Sequence, residues 1–253
     1  MTPTVLVTGA AGSVAGQLLP GLAHLELRLL DRRPADHDIE VLTGELTDRA
    51  LLARAVDGVD AVVHLAGDPR PDADWDDLAP ANVDGFAALL GAAARAGVRR
   101  VVYASSVHAM GQYEADGAVP IDPRWAPAPC CAYGATKAFD EALARVHADR
   151  GPLRTIGLRL GATVPEPTLT SQLPGWLGPD DLRRLVVRAL EADVRWGVYP
   201  GVSANTRQRW DLGTARAELG YEPVLDSEAY AADVADDGVG VTTCPRPGGE
   251  AGR

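Results

Sequence analysis

Thr4-Val5-Leu6-Val7-Thr8-Gly9-Ala10-Ala11-Gly12-Ser13-Val14-Ala15-Gly16 decides how this chain folds. Its first five residues form an apolar, β-type run; glycines follow at once, and Gln17-Leu18-Leu19 beyond them carries helix spacing. A strand, a glycine-rich turn and a helix start make a phosphate cradle. Glycine lets the main chain approach a pyrophosphate, and the helix N-terminus offers free N–H groups and a positive dipole end. The turn reads Gly9-x-x-Gly12-x-x-Ala15, with Gly16 one place late, so it departs from GxGxxG and the surrounding chain must carry the argument.

Working outward, Leu27-Arg28-Leu29-Leu30 is a second strand ending at Asp31, 22 residues after Gly9. An acid at that distance is placed to bind adenosine ribose hydroxyls, which favours NAD, although it could also simply cap a turn. Arg32 and Arg33 follow directly and could hold a 2′-phosphate, so NADP stays open. Ile39 to Leu42 is a third short strand, after which Gly44-Glu45-Leu46 would lie beside the adenine; Thr47-Asp48 then opens a capped helix. Asp60 to Gly67 is a continuous apolar strand of the kind covered on both faces in a parallel sheet, with His64 expected to be packed in the core. The acidic, proline-rich stretch 68–80 reads as a surface loop, and Asn82-Val83-Asp84-Gly85 opens an alanine-rich helix to about Ala96. Val101 to Ala104 is a fifth strand followed at once by Ser105-Ser106-Val107-His108; ligands of doubly wound sheets bind outside such strand ends.

Further on, a proline-rich stretch leads to a helix from Tyr133 to about Arg150, then to a strand at 155–160. Asp180 and Asp181 read as charge complement at a helix start rather than catalysts. Arg195 to Tyr199 is a late strand and Leu212 to Leu219 a last helix. The expected architecture is therefore α/β, a Rossmann-type doubly wound parallel sheet with a small C-terminal portion. Residues 1–160 form the dinucleotide-binding core with the catalytic helix, 161–237 a small substrate-binding portion interwoven with it, and 238–253 a tail of disordered composition.

Tyr133-Gly134-Ala135-Thr136-Lys137 stands out because Lys137 is the only lysine; the other 23 basic residues are arginine. An ammonium is a compact point charge, whereas guanidinium is a wide fork that would not tuck under another side chain. Four residues apart on a helix, the two side chains share a face. A fixed ammonium beside a phenol favours the phenolate, which suits a proton-transfer role. Taken alone, the spacing is also what a surface pair on any helix shows.

Bulk properties narrow the partners. A net charge of −11 argues against nucleic acid or an anionic membrane. No apolar run approaches the length of a membrane span, and the N-terminus lacks a basic region of signal type. Three cysteines, two of them adjacent, fit neither a disulfide framework nor a metal-binding spacing, so a reduced, cytoplasmic protein without a metal is expected.

In combination these motifs resemble the extended short-chain dehydrogenase/reductase family, also called the NAD-dependent epimerase/dehydratase family, over roughly residues 4–225. They are the GxxGxxA turn, Asp31, His64-Leu65-Ala66, Asn82-x-x-Gly85, Ala104-Ser105-Ser106, Tyr133-x-x-x-Lys137, and Arg159 ahead of Pro165-Glu166-Pro167. Within the family the chain is most similar to uronate dehydrogenase-like members, through Val107-His108, Trp176-Leu177, Asp180-Asp181 and Ser203-Ala204-Asn205. The resemblance implies that Ser106 holds the reacting oxygen, Tyr133 moves its proton, Lys137 binds the nicotinamide ribose, and Asn82 supports them. It implies a cofactor site of Gly9, Ala11, Gly12, Ser13, Val14, Asp31, Arg32, Glu45, Leu46, Leu65, Ala66, Gly67, Tyr133 and Lys137. The implied substrate site is Arg70, Ser106, Val107, His108, Tyr133 and Ser171.

At the substrate end the pattern departs from the family. A serine is replaced by Pro69, an asparagine by Val107, and a carboxylate-gripping arginine is missing near Ser171, with Arg70 close enough in sequence to replace its charge. That loss points to a neutral hydroxyl or ketone substrate. The expected activity is NAD(P)-dependent interconversion of a secondary alcohol and a ketone, or a lactol and a lactone, on a small sugar-like molecule. Alternatives are an epimerase or dehydratase that recycles NAD, and a non-catalytic dinucleotide sensor. The resemblance also implies a homo-oligomer.

Overall fold

A computed structural model of the protein describes residues 2–35 and 37–244. Seven strands form one all-parallel sheet in the order β3-β2-β1-β4-β5-β6-β7. They are β1 (Thr4–Thr8), β2 (Glu26–Asp31), β3 (Val41–Thr43), β4 (Ala61–His64), β5 (Arg100–Ser106), β6 (Arg154–Leu160) and β7 (Trp196–Gly201). The helices are α1 (Ser13–Leu18), α2 (Arg49–Val56), α3 (Trp75–Leu78), α4 (Phe86–Ala96), α5 (Gly111–Ala115), α6 (Ala132–Arg150) and α7 (Pro179–Glu191).

The chain winds outward from β1 through β2 to β3, then crosses back to place β4 on the other side of β1. That reversal is the switch point where such sheets open a crevice beyond the strand ends. The central strands β1, β4, β5 and β6 are buried on both faces. In β1, Leu6 packs into a core with α2 and α4 residues Leu52, Phe86 and Leu90, while Val5 and Val7 pack oppositely with Leu18 and α7 residues Leu182 and Val186. His64 is 2% exposed, its Nδ1 is 2.7 Å from Thr8 Oγ1, and burial holds its imidazole down at about 3, so it is a neutral core residue as expected.

Three elements differ from the sequence reading. The third strand begins at Val41, not Ile39, because pairing of Val41 with Leu29 sets its register and leaves Ile39 exposed. Part of the expected 68–80 loop is helical: α3 runs through a wide, π-helical segment, Ala79–Gly85, into α4. Pro80 suggested a break, but the wide segment that begins at Ala79 accommodates it within the helical run.

The third difference is the tail. Its described part is held at its end rather than trailing: Thr243 is 5% exposed, and the buried Glu114 carboxylate accepts from Thr242 N, Thr243 N and Thr243 Oγ1 at 3.0, 2.9 and 2.8 Å. A single acid presented from α5 supplies the order that composition could not reveal. The rest of the expected tail, 245–253, lies outside the described residues. Among the described residues no helix is long and apolar enough to cross a membrane.

Candidate active site

Beyond the C-terminal ends of β4, β5 and β6 lies a cavity of ≈ 320 Å³. Ser106 reaches it as the last residue of β5, and its Oγ accepts from His108 N (3.2 Å), which starts the tight turn Val107–Met110. Tyr133 and Lys137 reach it from the first turns of α6. Lys137 Nζ lies 5.9 Å from the Tyr133 ring centroid. The phenol and the ammonium thus share one helix face, as their spacing requires.

Lys137 is 5% exposed and takes Asp140 Oδ2 as partner at 3.2 Å. Burial pulls the ammonium down, but the charges of Asp140, Tyr133 and Glu141 outweigh it and move the value up, so Lys137 stays charged. Burial pushes Asp140 up to about 7 despite the nearby ammonium. Its second oxygen, Oδ1, is buried with no partner among the described residues. Below this pair, Glu141 accepts from Ser105 Oγ (2.6 Å) and from both arms of Arg159 (2.9 and 2.8 Å). This bidentate, buried pair locks α6 to β5 and β6. Asn82 ties the loop after β4 to α6: its Oδ1 accepts from Asp68 N (2.7 Å), and its Nδ2 donates to Asp68 O (3.0 Å) and Thr136 Oγ1 (3.3 Å).

The glycine turn lies at one end of the cavity. Gly9 has φ +75°, and a Cβ there would meet Ala66 N at 2.6 Å, so the turn can pass the end of β4 only as glycine. Ser13, Val14, Leu65 and Gly67 line the cavity. Gly12 caps α1 without a side chain, and no acid occupies the first turn, a combination suited to a phosphate. Asp31 Oδ2 accepts from Ala11 N at 2.9 Å and Oδ1 from Arg33 N at 2.9 Å. The acid therefore braces the turn it was expected to serve. Arg33, rather than Arg32, reaches back over the turn to Ala11 O (3.2 Å). At the adjoining sheet edge, Leu46 is buried and Glu45 exposed.

The substrate end departs further from expectation. Ser106, Val107, His108 and Tyr133 do line the cavity. Arg70 does not: it is turned to Asp68 (2.6 Å) and Asp77 (3.1 Å), so its charge is already matched and cannot replace the missing arginine. Ser171 does not either, because its Oγ donates to Asp237 Oδ2 at 2.5 Å. Gln172 and Thr242 take part instead. Sequence offered no signal for Thr242, whose place depends on Glu114. Asp140 was legible as a charge three residues after Lys137, but its burial was not.

His108 is engaged on its far side. Its Nδ1 lies 3.5 Å from the sulfurs of Cys130, Cys131 and Cys244, while its ring meets Tyr133 edge-on at 5.6 Å. Hydrogen bonding from Cys130, aided by His108, draws the Cys131 thiol down against the opposing effect of burial. A cleft of ≈ 490 Å³ also opens at the opposite ends of the strands, lined by Pro3, His24 and Arg99 among others. It holds neither the phenol–ammonium pair nor the glycine turn, and chemistry rather than size singles out the smaller cavity.

Known proteins carry the same frame. The model of the NAD dependent epimerase/dehydratase family matches residues 5–192. NAD-dependent glucose-6-phosphate dehydrogenase of Haloferax volcanii is 35% identical, over 91% of this chain and 96% of that protein. Uronate dehydrogenase of Pseudomonas syringae pv. tomato is 37% identical, over 91% of this chain and 85% of that protein. The crystal structure of a mutant uronate dehydrogenase from Agrobacterium tumefaciens complexed with NAD superposes with TM-score 0.85 at 29% identity, covering 98% of this chain and 93% of that one.

Proposed function

Because the chain belongs to the NAD-dependent epimerase/dehydratase family, we propose that it is an NAD-dependent dehydrogenase that oxidises a hydroxyl of a small sugar, the lactol of an aldose to its lactone. The single observation that carries this reading is the Tyr133–Lys137 pair, with its ammonium 5.9 Å from the phenol ring, in one cavity with Ser106 and the glycine turn. Sugar dehydrogenases among the relatives, including L-arabinose 1-dehydrogenase (NAD(P)(+)) of Haloferax volcanii, support the substrate class.

The residues present fit a dinucleotide: the Gly9 turn admits no Cβ, Gly12 leaves the start of α1 open, and Asp31 stands at the end of β2. NAD, when bound, supplies the hydride acceptor. Ser106 Oγ and Tyr133 Oη orient the substrate hydroxyl, and Tyr133 takes its proton as the carbonyl forms. Lys137, with one of its three donors held by Asp140, stabilises the phenolate and has donors for a ribose. Asn82 keeps the loop after β4 closed against α6, which holds Gly67 over the ammonium. Matching of Arg70 by Asp68 in its own loop and Asp77 on α3 supports a neutral sugar rather than a uronate.

The reading carries two further expectations, a cytoplasmic location and a homo-oligomer. Phe139 and Val146, both exposed and seven residues apart on α6, support association through that helix. The activity is tested by following nicotinamide reduction with a panel of aldoses, aldose phosphates and uronates. Tyr133→Phe is expected to lower kcat by about 10³-fold while leaving NADH affinity within about twofold. A fully active variant would exclude the mechanism. Enzyme purified with tightly held NAD and giving no net reduction with any sugar would instead favour the recycling reaction.

A further inference from the structure

The three cysteines come from two distant parts of the chain and meet at one imidazole. His108 Nδ1 is 3.5 Å from each of Cys130 Sγ, Cys131 Sγ and Cys244 Sγ, and all four atoms lie within 4.8 Å of one another. A tetrahedral zinc bound at ordinary Zn–S and Zn–N lengths would set each nitrogen–sulfur separation at about 3.6 Å. The three separations observed match that value together. A packed trio of apolar thiols has no reason to centre on a ring nitrogen, and none of the three cysteines belongs to either hydrophobic core.

We propose that His108, Cys130, Cys131 and Cys244 form a Cys3His site for one zinc ion, which clamps the C-terminal segment against the active-site turn. The spacing of the cysteines along the sequence pointed to no metal; their convergence in space is what argues for one. Each arm is positioned by contacts independent of the sulfurs. The Glu114 carboxylate holds Thr242 and Thr243 and pairs with Arg209 (3.4 Å), which delivers Cys244. Ala128 N donates to Ala109 O and Cys130 N to His108 O, which fixes the loop ahead of α6. Gly134 N donates to Cys131 Sγ at 3.4 Å, a second-sphere bond of the kind that orients a thiolate ligand. Gly111 leaves room for this packing, since a Cβ there would come within 2.3 Å of Cys130 Sγ.

Binding would release the thiol protons and leave three thiolates and a neutral imidazole on the ion, a closed ligand set with no open position for substrate. The role is therefore structural. The ion would join the turn after Ser106, the residue pair before Tyr133 and the segment carrying Thr242 to the cavity wall. In a short C-terminal portion, that cross-link does the work of a larger domain.

The test uses the full chain purified under reducing conditions without chelator. Elemental analysis is expected to find about one zinc per chain. Replacement by cobalt(II) is expected to give the near-ultraviolet thiolate charge-transfer bands and intense visible bands of a tetrahedral sulfur site. Cys244→Ser should lose most of the zinc after dialysis and lose or shift those bands, with a lowered melting temperature. Should the variant fail to fold, the wild-type metal content and cobalt spectrum decide alone. Metal-free wild type that gives no cobalt spectrum would overturn the site. So would stoichiometric zinc without thiolate bands, or a disulfide among these cysteines found by mass spectrometry. None of these readouts depends on dehydrogenase activity, so the site and the proposed reaction stand or fall separately.

Discussion

The two ends of the cavity are built on different principles. At the cofactor end the main chain does the shaping: Gly9 passes β4 with no room for a Cβ, and Asp31 braces the turn through Ala11 N. At the substrate end the wall is assembled from remote segments, and polar side chains around it are matched to one another instead of facing the cavity. Arg70 is held by Asp68 and Asp77, Ser171 by Asp237, and the 242–243 backbone by Glu114. The contrast teaches that a polar residue near a cavity is available to a ligand only if its neighbours leave it unmatched. At a surface dense in acids and arginines, they seldom do.

The contrast can be broken most sharply at the main-chain end. Gly9→Ala forces a side chain into a positive-φ turn against Ala66 N, and is expected to cost about 2–3 kcal/mol of stability and to weaken NADH binding more than about tenfold. Thermal melts and fluorescence titration read both; an undisturbed variant would mean that the turn is looser than described.

At the other end, Gln172 Oε1 already accepts from Thr168 N and Leu169 N (2.7 and 3.3 Å), which leaves its Nε2 for a ligand. Gln172→Ala is expected to raise KM for the sugar about tenfold, the worth of one hydrogen bond, with NADH affinity unchanged. Arg70→Ala should change KM by less than about twofold. Steady-state kinetics that reversed these two outcomes would return the substrate to the loop after β4.

A smaller effect sharpens the account of the buried pair between the two ends. Asp140 has an ordinary value of 3.8 raised to about 7 in the fold. The folded protein therefore keeps this proton while the unfolded chain loses it. The resulting stabilisation is complete below about pH 4 and declines as pH rises through about 7. His64, lowered from 6.5 to about 3, acts oppositely in that window, since acid favours the unfolded chain in which it can charge. Only a difference isolates Asp140. Relative to Asp140→Asn, the wild type should lose stability between pH 4 and 7, as denaturant titrations at several pH values would show. A flat difference would remove the raised acid.

The strand–turn–helix at the N-terminus, the apolar strands and the Tyr133–Lys137 spacing were legible because each rests on interactions within a few residues or on a fixed period. The parallel sheet follows from them, since continuous apolar strands separated by helices can be covered only on both faces. The start of β3 was misplaced because its register is set by β2, and α3 was hidden by a proline that a wide helical turn accommodates.

Residue order alone thus settled the fold class, the strand–glycine turn–helix and the phenol–ammonium pair, all of which follow from short-range geometry. Folding in three dimensions decided that Arg70 and Ser171 are matched elsewhere, that Asp140 is buried beneath Lys137, and that Thr242 and Cys244 return beside His108. Those outcomes join positions more than a hundred residues apart in the case of Cys244 and His108. No periodicity or spacing encodes such a contact, because it depends on which charges and backbone groups the packed core leaves facing one another.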